Sequence, residues 1–297
     1  MLEQFETFTT ERDGVVLNAR VAGRGEPVVL LHGHPQNLYM WHRVAPQLLG
    51  RYCVVLMDLR GYGDSGRPVS DVHHVTYSKR EMAADVRHLM KTLGHDHFHV
   101  LAHDRGARVA HRLAMDAPAV VRSLMLLDIA PTLAMYEHTS EAFARTYWHW
   151  FFLIQPSPLP EALIESDPFR YVRSVMGSRH AGLAAFDPRA LLAYERSVAR
   201  PGSAHAICED YRASAGIDLV HDREDRSAGR RLQVPLHVLW AEFGAVGRCF
   251  DPLALWRAAA EEVSGRALPC GHYLAEEQPD LVAQDALNFF ANHPIPS

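Results

Sequence analysis

Three residues carry the types and the chain order for a covalent hydrolysis: Asp104, Asp128 and His272. Asp104 lies in Ala102-His103-Asp104-Arg105-Gly106, where an apolar strand from His97 to Ala102 runs into a helix. The small-x-acid-x-Gly spacing is that of a nucleophile elbow, with an acid where serine would stand. A carboxylate that attacks carbon forms an ester, which water later hydrolyses. Alone the pentapeptide is weak, because such strings occur at ordinary strand ends. Asp128 closes the buried run Val121–Leu127, and His272 follows a short strand near Arg266–Leu268, so both are expected at the same sheet edge. A histidine, with an ordinary pKa of about 6.5, suits a base working near neutral pH, and Asp128 would hold its other nitrogen. Because Asp104 is already ionised there, His272 would activate water against the ester carbonyl. The main-chain N–H groups of Arg105 and His34 are the expected oxyanion donors, each worth roughly 3 kcal/mol in serine hydrolases. The His34 side chain would line the pocket. The plainer alternative makes Asp128 a strand-end cap and His272 a surface histidine.

Arg105 follows the candidate nucleophile, and Arg108 lies one helical turn beyond Asp104. Two guanidinium groups there would offset the carboxylate and leave positive field for an anionic substrate, most naturally a second carboxylate held by paired hydrogen bonds. The alternative is that Arg105 turns outward and Arg108 pairs with a core acid.

The elements that must position these groups read as an α/β chain. Phe5–Val21 alternates loosely around Asp13-Gly14, a hairpin signal. Pro27–Leu31 and Tyr52–Met57 are continuous apolar runs, as a parallel sheet covered on both faces requires, and Val121–Leu127 and Pro235–Trp240 read as further core strands. Helices are predicted over Trp41–Leu49, from Ser78 to about Leu93, over Pro252–Val263 and over Pro279–Ala291, with Asp285 facing solvent. Ser78 and Glu81 have capping-box spacing, and Gly94 ends that helix. From 131 to 233 no comparable strand occurs, and aromatic clusters such as Tyr147–Phe152 suggest a helical insertion. The expected organisation is a core in two parts, 1–130 and 234–297, around a cap at 131–233. The fold class is a doubly wound, mostly parallel sheet with an inserted helical cap.

Gly61, Gly63 and Gly66 match G-x-G-x-x-G, but Pro68 and a polar stretch separate them from the next helix, so a dinucleotide site is not expected. Ser65 in that loop is no strand-end nucleophile. At 297 residues, 48% hydrophobic and with a net charge of −5, the chain has no basic block for nucleic acid and no apolar run long enough for a bilayer. Its acidic start does not read as a signal peptide, and a cytoplasmic location is expected. The four cysteines are scattered, and the alternating His95, His97 and His99 read as loop and strand-edge positions. The chemistry calls for neither metal nor cofactor.

The segments His32–Gln36, Asp58–Ser65, His103–Arg112, His149-Trp150, Asp210–Arg212 and Gly271-His272 resemble the α/β-hydrolase superfamily and, within it, the fluoroacetate and haloacetate dehalogenases. The likeness covers nearly the entire chain. The first two segments are shared with epoxide hydrolases and haloalkane dehalogenases; Asp-Arg-x-x-Arg together with His149-Trp150 is narrower. The resemblance implies that Asp104 displaces halide from a haloacetate such as fluoroacetate or chloroacetate, giving glycolate once His272 and Asp128 have delivered water to the ester. It implies that Arg105 and Arg108 hold the substrate carboxylate, that His149, Trp150 and Tyr211 surround the departing halide, and that the chain forms a homodimer. Two departures stand out: position 34 is commonly aromatic in relatives, and the tryptophan they carry near 176–179 is absent. Rival readings are an epoxide hydrolase using Tyr147, Tyr171 or Tyr211 as proton donor, a dehalogenase for larger 2-haloacids, and a carboxylate-binding protein without turnover. A serine esterase is disfavoured by the acid at the elbow.

Overall fold

A computed structural model describes residues 1–296. The hairpin forms as read: β1 (Glu6–Arg12) and β2 (Val15–Gly23) are antiparallel with Arg12 opposite Val15. Asp13 and Gly14 both take positive φ, 51° and 78°, the turn geometry that Asp-Gly accommodates at least strain. The apolar runs become β3 (Glu26–Leu31), β4 (Tyr52–Met57), β5 (Phe98–His103), β6 (Val121–Leu127), β7 (Leu236–Ala241) and β8 (Val263–Leu268). They join one eight-stranded sheet in the order β1-β2-β4-β3-β5-β6-β7-β8, parallel from β4 onward. Val28 to Leu31, Val54 to Met57 and Leu124 to Leu127 have no solvent exposure. Helices on both faces explain why these strands lack alternation.

Strand order reverses at β3, whose two neighbours are β4 and β5. Crevices form beyond the carboxyl ends of strands at such a point. The loop after β3 and the helix after β5 therefore leave the sheet side by side, and the segments holding Asp128 and His272 follow from the same edge. Between β6 and β7 the chain runs through helices from Thr132 to Ser227 with no strand among them. Helix Ser203–Ala215 is buried along almost its whole length, including Glu209, Asp210 and Arg212.

Several expectations need correction. Trp41–Leu49 is no single helix: Leu38–Trp41 is a 3-10 turn and Ala45–Leu48 a separate turn of α-helix with Pro46 in its first turn, where a missing N–H does no harm. The helix predicted to reach Val263 stops at Ala259, and Val263 opens β8. His99 is fully buried, bonded to Ser123 Oγ (2.8 Å) and Glu26 (3.2 Å), rather than at a solvated edge. Asp285 is half-buried and pairs with Arg266 of β8 at 2.9 Å instead of facing water. Ser78 caps helix Lys79–Thr92 by accepting the Glu81 N–H, but the Glu81 carboxylate turns to Arg12 and the box is not reciprocal. No helix among the described residues is long and apolar enough to cross a membrane.

Candidate active site

Asp104 is the first residue of helix Asp104–Asp116 and stands at φ +45°, a conformation a non-glycine residue adopts under strain. The turn closes because its neighbours are small. A Cβ on Gly106 would lie 2.4 Å from the His32 carbonyl oxygen, and one on Gly33 would lie 2.5 Å from Asp104 Cβ. The carboxylate is buried, and its Oδ1 accepts the His34 main-chain N–H at 2.9 Å. Burial alone would raise this carboxyl's pKa; the adjoining His272 and His103 rings, the Arg105 guanidinium and the His34 N–H outweigh it and hold the group well below the carboxylate range. Asp104 is thus an ionised carboxylate with a main-chain donor already in place. The Arg105 N–H lies in the first turn of the same helix, where it has no intrahelical acceptor.

Asp128, at φ +49°, meets His272: Nδ1 donates to Oδ2 at 2.6 Å, while Oδ1 accepts the Ala241 N–H at 2.9 Å. With Nδ1 committed to a carboxylate, Nε2 is the nitrogen left to take a proton from water. His103, which the spacing does not single out, donates Nε2–H to the His272 carbonyl at 2.8 Å and lies 4.7 Å from its ring. Burial and the neighbouring His272 push His103 down to about 4, so it is a neutral prop.

The glycine loop packs round a carboxylate, that of Asp58. Asp58 accepts the N–H of Leu38 and of Asp64 and the amide of Asn18, and a Cβ on Gly63 would fall within 2.0 Å of its carboxylate. His32 Nε2 accepts the Leu59 N–H at 3.1 Å, tying the same network to the His34 segment. Ser65 Oγ is spent on the Asp58 carbonyl.

The two arginines behave differently. Arg105 is not outward: its Nε and Nη2 bind Asp210 at 3.0 and 2.7 Å, its guanidinium covers the Tyr211 ring at 4.0 Å, and Nη1 is buried without a partner. Asp210 also accepts from Tyr62 OH (2.8 Å) and Lys79, so the Arg105 charge is largely met by the protein. Arg108 has no acid: it donates to Thr132 Oγ1 at 2.7 Å and the Ala130 carbonyl at 3.3 Å, lies 4.6 Å over Trp150, and keeps Nε unpartnered. Burial lowers the Arg108 pKa, with the Arg105 charge adding to it. The core acid pairs with the other arginine than the one expected.

The cap brings His149, Trp150 and Tyr211 over this floor. His149 stacks on His34 at 6.4 Å and meets Tyr211 at 5.9 Å. Trp150 Nε1 and Tyr211 OH are buried donors without partners. Of the other two tyrosines, Tyr171 shares a hydrogen bond with His34 Nε2 at 2.9 Å, and Tyr147 lies under Arg179 at 4.7 Å. Burial pushes His34 down to about 3, so the imidazole beside the nucleophile is neutral at working pH. Arg179, in the stretch where the resemblance leads one to look for tryptophan, puts a third guanidinium at the site. No spacing rule pointed to it, nor to the Asp210–Lys79 pair. Away from the site, Glu161, His205 and Glu209 bring ligand atoms within 4.8 Å of one another, but Arg212 bridges the two glutamates at 2.5 and 2.8 Å and supplies the cation there.

A strand-order reversal, an acid elbow and a histidine returning after the last strand define the α/β-hydrolase class. The family model for the alpha/beta hydrolase fold matches residues 26–203, and the chain belongs to that family. It is 41% identical to a fluoroacetate dehalogenase of Burkholderia sp, covering 98% of this chain and 96% of that one. It is 34% identical to a soluble epoxide hydrolase of Corynebacterium sp. (strain C12), covering 94% and 95%. A solved structure from Nostoc sp PCC 7120, assigned to the alpha/beta hydrolases, shares 49% identity over 99% of this chain and 100% of that one, with a TM-score of 0.94.

Proposed function

We propose that this chain hydrolyses an electrophilic carbon–heteroatom bond through a covalent ester on Asp104. An Asp104 oxygen forms a bond to carbon as the bond to halide, or to an epoxide oxygen, breaks and the electron pair leaves with the heteroatom. His272, held by Asp128, then takes a proton from water as that water adds to the Asp104 carbonyl. The oxygen that accepts the His34 N–H carries the charge of the tetrahedral intermediate, and its collapse frees a hydroxylated product and the carboxylate. The observation that carries this reading is the Asp104 carboxylate itself: buried, ionised, on a strained turn, with a main-chain donor at 2.9 Å.

Two substrate classes fit, and the structure moves the balance between them. Ring opening of an epoxide gains ground, since Arg105 is neutralised by Asp210 and no longer opposes a neutral substrate, and Tyr211 OH is free to protonate the ring oxygen. Relatives with epoxide-hydrolase names are also the more numerous. Displacement of halide from a 2-haloacid keeps one specific observation: Arg108, a buried guanidinium without an acid, which suits a substrate carboxylate. Trp150 Nε1 and Tyr211 OH would then meet the halide. The 176–179 stretch carries Arg179 and no tryptophan, which keeps acids larger than haloacetate among the candidates.

The deciding experiment gives wild type and Asp104→Asn the same set: fluoroacetate, chloroacetate, 2-chloropropionate, styrene oxide and glycidate, an epoxide bearing a carboxylate. Halide release or diol formation by wild type alone supports the ester mechanism and names the class. Activity that survives in Asp104→Asn, or no product from any of the five, refutes it.

A further inference from the structure

An aromatic row on the underside of the cap joins two guanidinium groups. Arg108 lies over Trp150 at 4.6 Å, Trp150 meets Tyr147 at 5.6 Å, and Arg179 lies over Tyr147 at 4.7 Å. Midway along it, the Tyr147 ring is 6.2 Å from that of His272. The two ends share an electrostatic state that Arg105 does not. Arg108 has only hydroxyl, carbonyl and thioether partners; Arg179 has the Thr146 carbonyl at 3.3 Å, and its Nε is buried with no partner. Neither has a carboxylate within ion-pair distance among the described residues, whereas Arg105 has Asp210 at 2.7 Å.

Arg179 also faces open space. A cavity of about 540 Å³ is lined by Arg179, His272, His180 and Arg248, with Glu242 as the one carboxylate in its wall. Asp104 supplies one negative charge to this pair, so a ligand's first carboxylate balances the site, and a second gives Arg179 Nε, buried with no partner, the acceptor it lacks.

We infer that Arg179 binds a second carboxylate, so that the substrate is a short dicarboxylic acid whose reactive carbon, halogenated or part of an epoxide, lies between two acid groups gripped by Arg108 and Arg179. This rests on the Asp104-ester reading and fixes the substrate class for either leaving group.

The test pairs binding with turnover. Calorimetric titration of succinate and of propionate into Asp104→Asn protein, with and without Arg179→Met, reads the second carboxylate directly. Succinate is expected to bind at least about tenfold more tightly than propionate, as one charged hydrogen-bonded contact implies. Arg179→Met is expected to abolish that preference and Arg179→Lys to keep part of it. Equal affinity for the two acids, or a preference that survives Arg179→Met, overturns the inference. Should the methionine variant fail to fold, the comparison in Asp104→Asn alone and the lysine variant decide. Turnover of 2-chlorosuccinate and epoxysuccinate against 2-chloropropionate and glycidate by wild type separates the two levels: product from none of the four removes the ester reading, while faster turnover of the monocarboxylates removes only the dicarboxylate.

Discussion

Arg105 and Arg108, three residues apart on one helix, end in opposite states because of what the cap places against them. Asp210 descends onto Arg105, while Thr132 and Trp150 meet Arg108 with a hydroxyl and a ring. Spacing along the elbow helix showed that both side chains reach the site; it could not show which would find a counter-ion, because Asp210 is over a hundred residues away and its helix has no distinguishing pattern. The same limit hid Arg179 and His103, whose roles come from packing across the cleft. The charge difference is testable. Arg108→Met is expected to lower kcat/KM for acid substrates by about 10–100-fold, the loss of a hydrogen-bonded ion contact, and to leave a neutral epoxide less affected. Asp210→Asn exposes Arg105 and Lys79 to each other's buried charge, and chemical denaturation should show a loss of about 3–5 kcal/mol. His272→Gln separates the two chemical steps. The first needs no base, so intact-protein mass spectrometry should find the substrate's mass, less its leaving group, held on Asp104; leaving-group release without added mass would remove His272 from the second step.

The strands were legible as elements because burial on both faces writes itself as apolar runs: the predicted Tyr52–Met57, apolar throughout, is β4 residue for residue, and the predicted Val121–Leu127, apolar after Arg122 and Ser123, is β6. β8 was legible only at its end. Ser264, Gly265 and Arg266 carry no apolar signal, and Gly265 is there because a Cβ would strike the Val238 carbonyl at 2.2 Å, a neighbour that local sequence does not reveal. Trp41–Leu49 failed as a helix because its turns are set by Asp58, which accepts the Leu38 N–H, and not by helical periodicity. The elbow stands on firmer ground: the prediction that it tolerates no bulk turns on a backbone contact that cannot move aside. Gly106→Ala puts a methyl group 2.4 Å from the His32 carbonyl, which itself accepts the Gly106 N–H at 2.9 Å. Strand β3 and the elbow helix must part, at an expected cost of about 1–3 kcal/mol by denaturation and with a larger fall in turnover than in substrate binding, because the displaced group is Asp104, the proposed nucleophile.

Taken whole, the molecule buries groups whose charge states pull its stability in opposite directions with pH. Burial holds His34 and His111 at about 3 and His103 at about 4. Between those values and about 6.5 the unfolded chain binds protons that the folded one refuses, so stability rises with pH up to about 6.5 and is lost progressively in acid. Glu276 works the other way. Burial raises it to about 8, beside the Tyr194 hydroxyl at 2.5 Å and the Gln36 amide at 3.4 Å, where it joins the His272 segment, the His34 loop and the cap. From about 4.3 up to 8 the folded chain holds a proton that the unfolded one releases, so this carboxyl subtracts stability as pH rises through that window. The stability maximum is therefore expected near pH 6 to 7, between two slopes of different origin. Glu276→Gln keeps the shape and a hydrogen-bonding oxygen but cannot ionise. It should raise stability at pH 8 by about 1 kcal/mol or more, flatten the alkaline side, and leave unchanged the acid slope that the buried histidines, His149 among them, set. Thermal unfolding of both proteins from pH 4 to 9 reads both slopes. Parallel curves would mean that Glu276 is ionised in the folded state, and that the join between cap and His272 segment is an ion site rather than a shared proton.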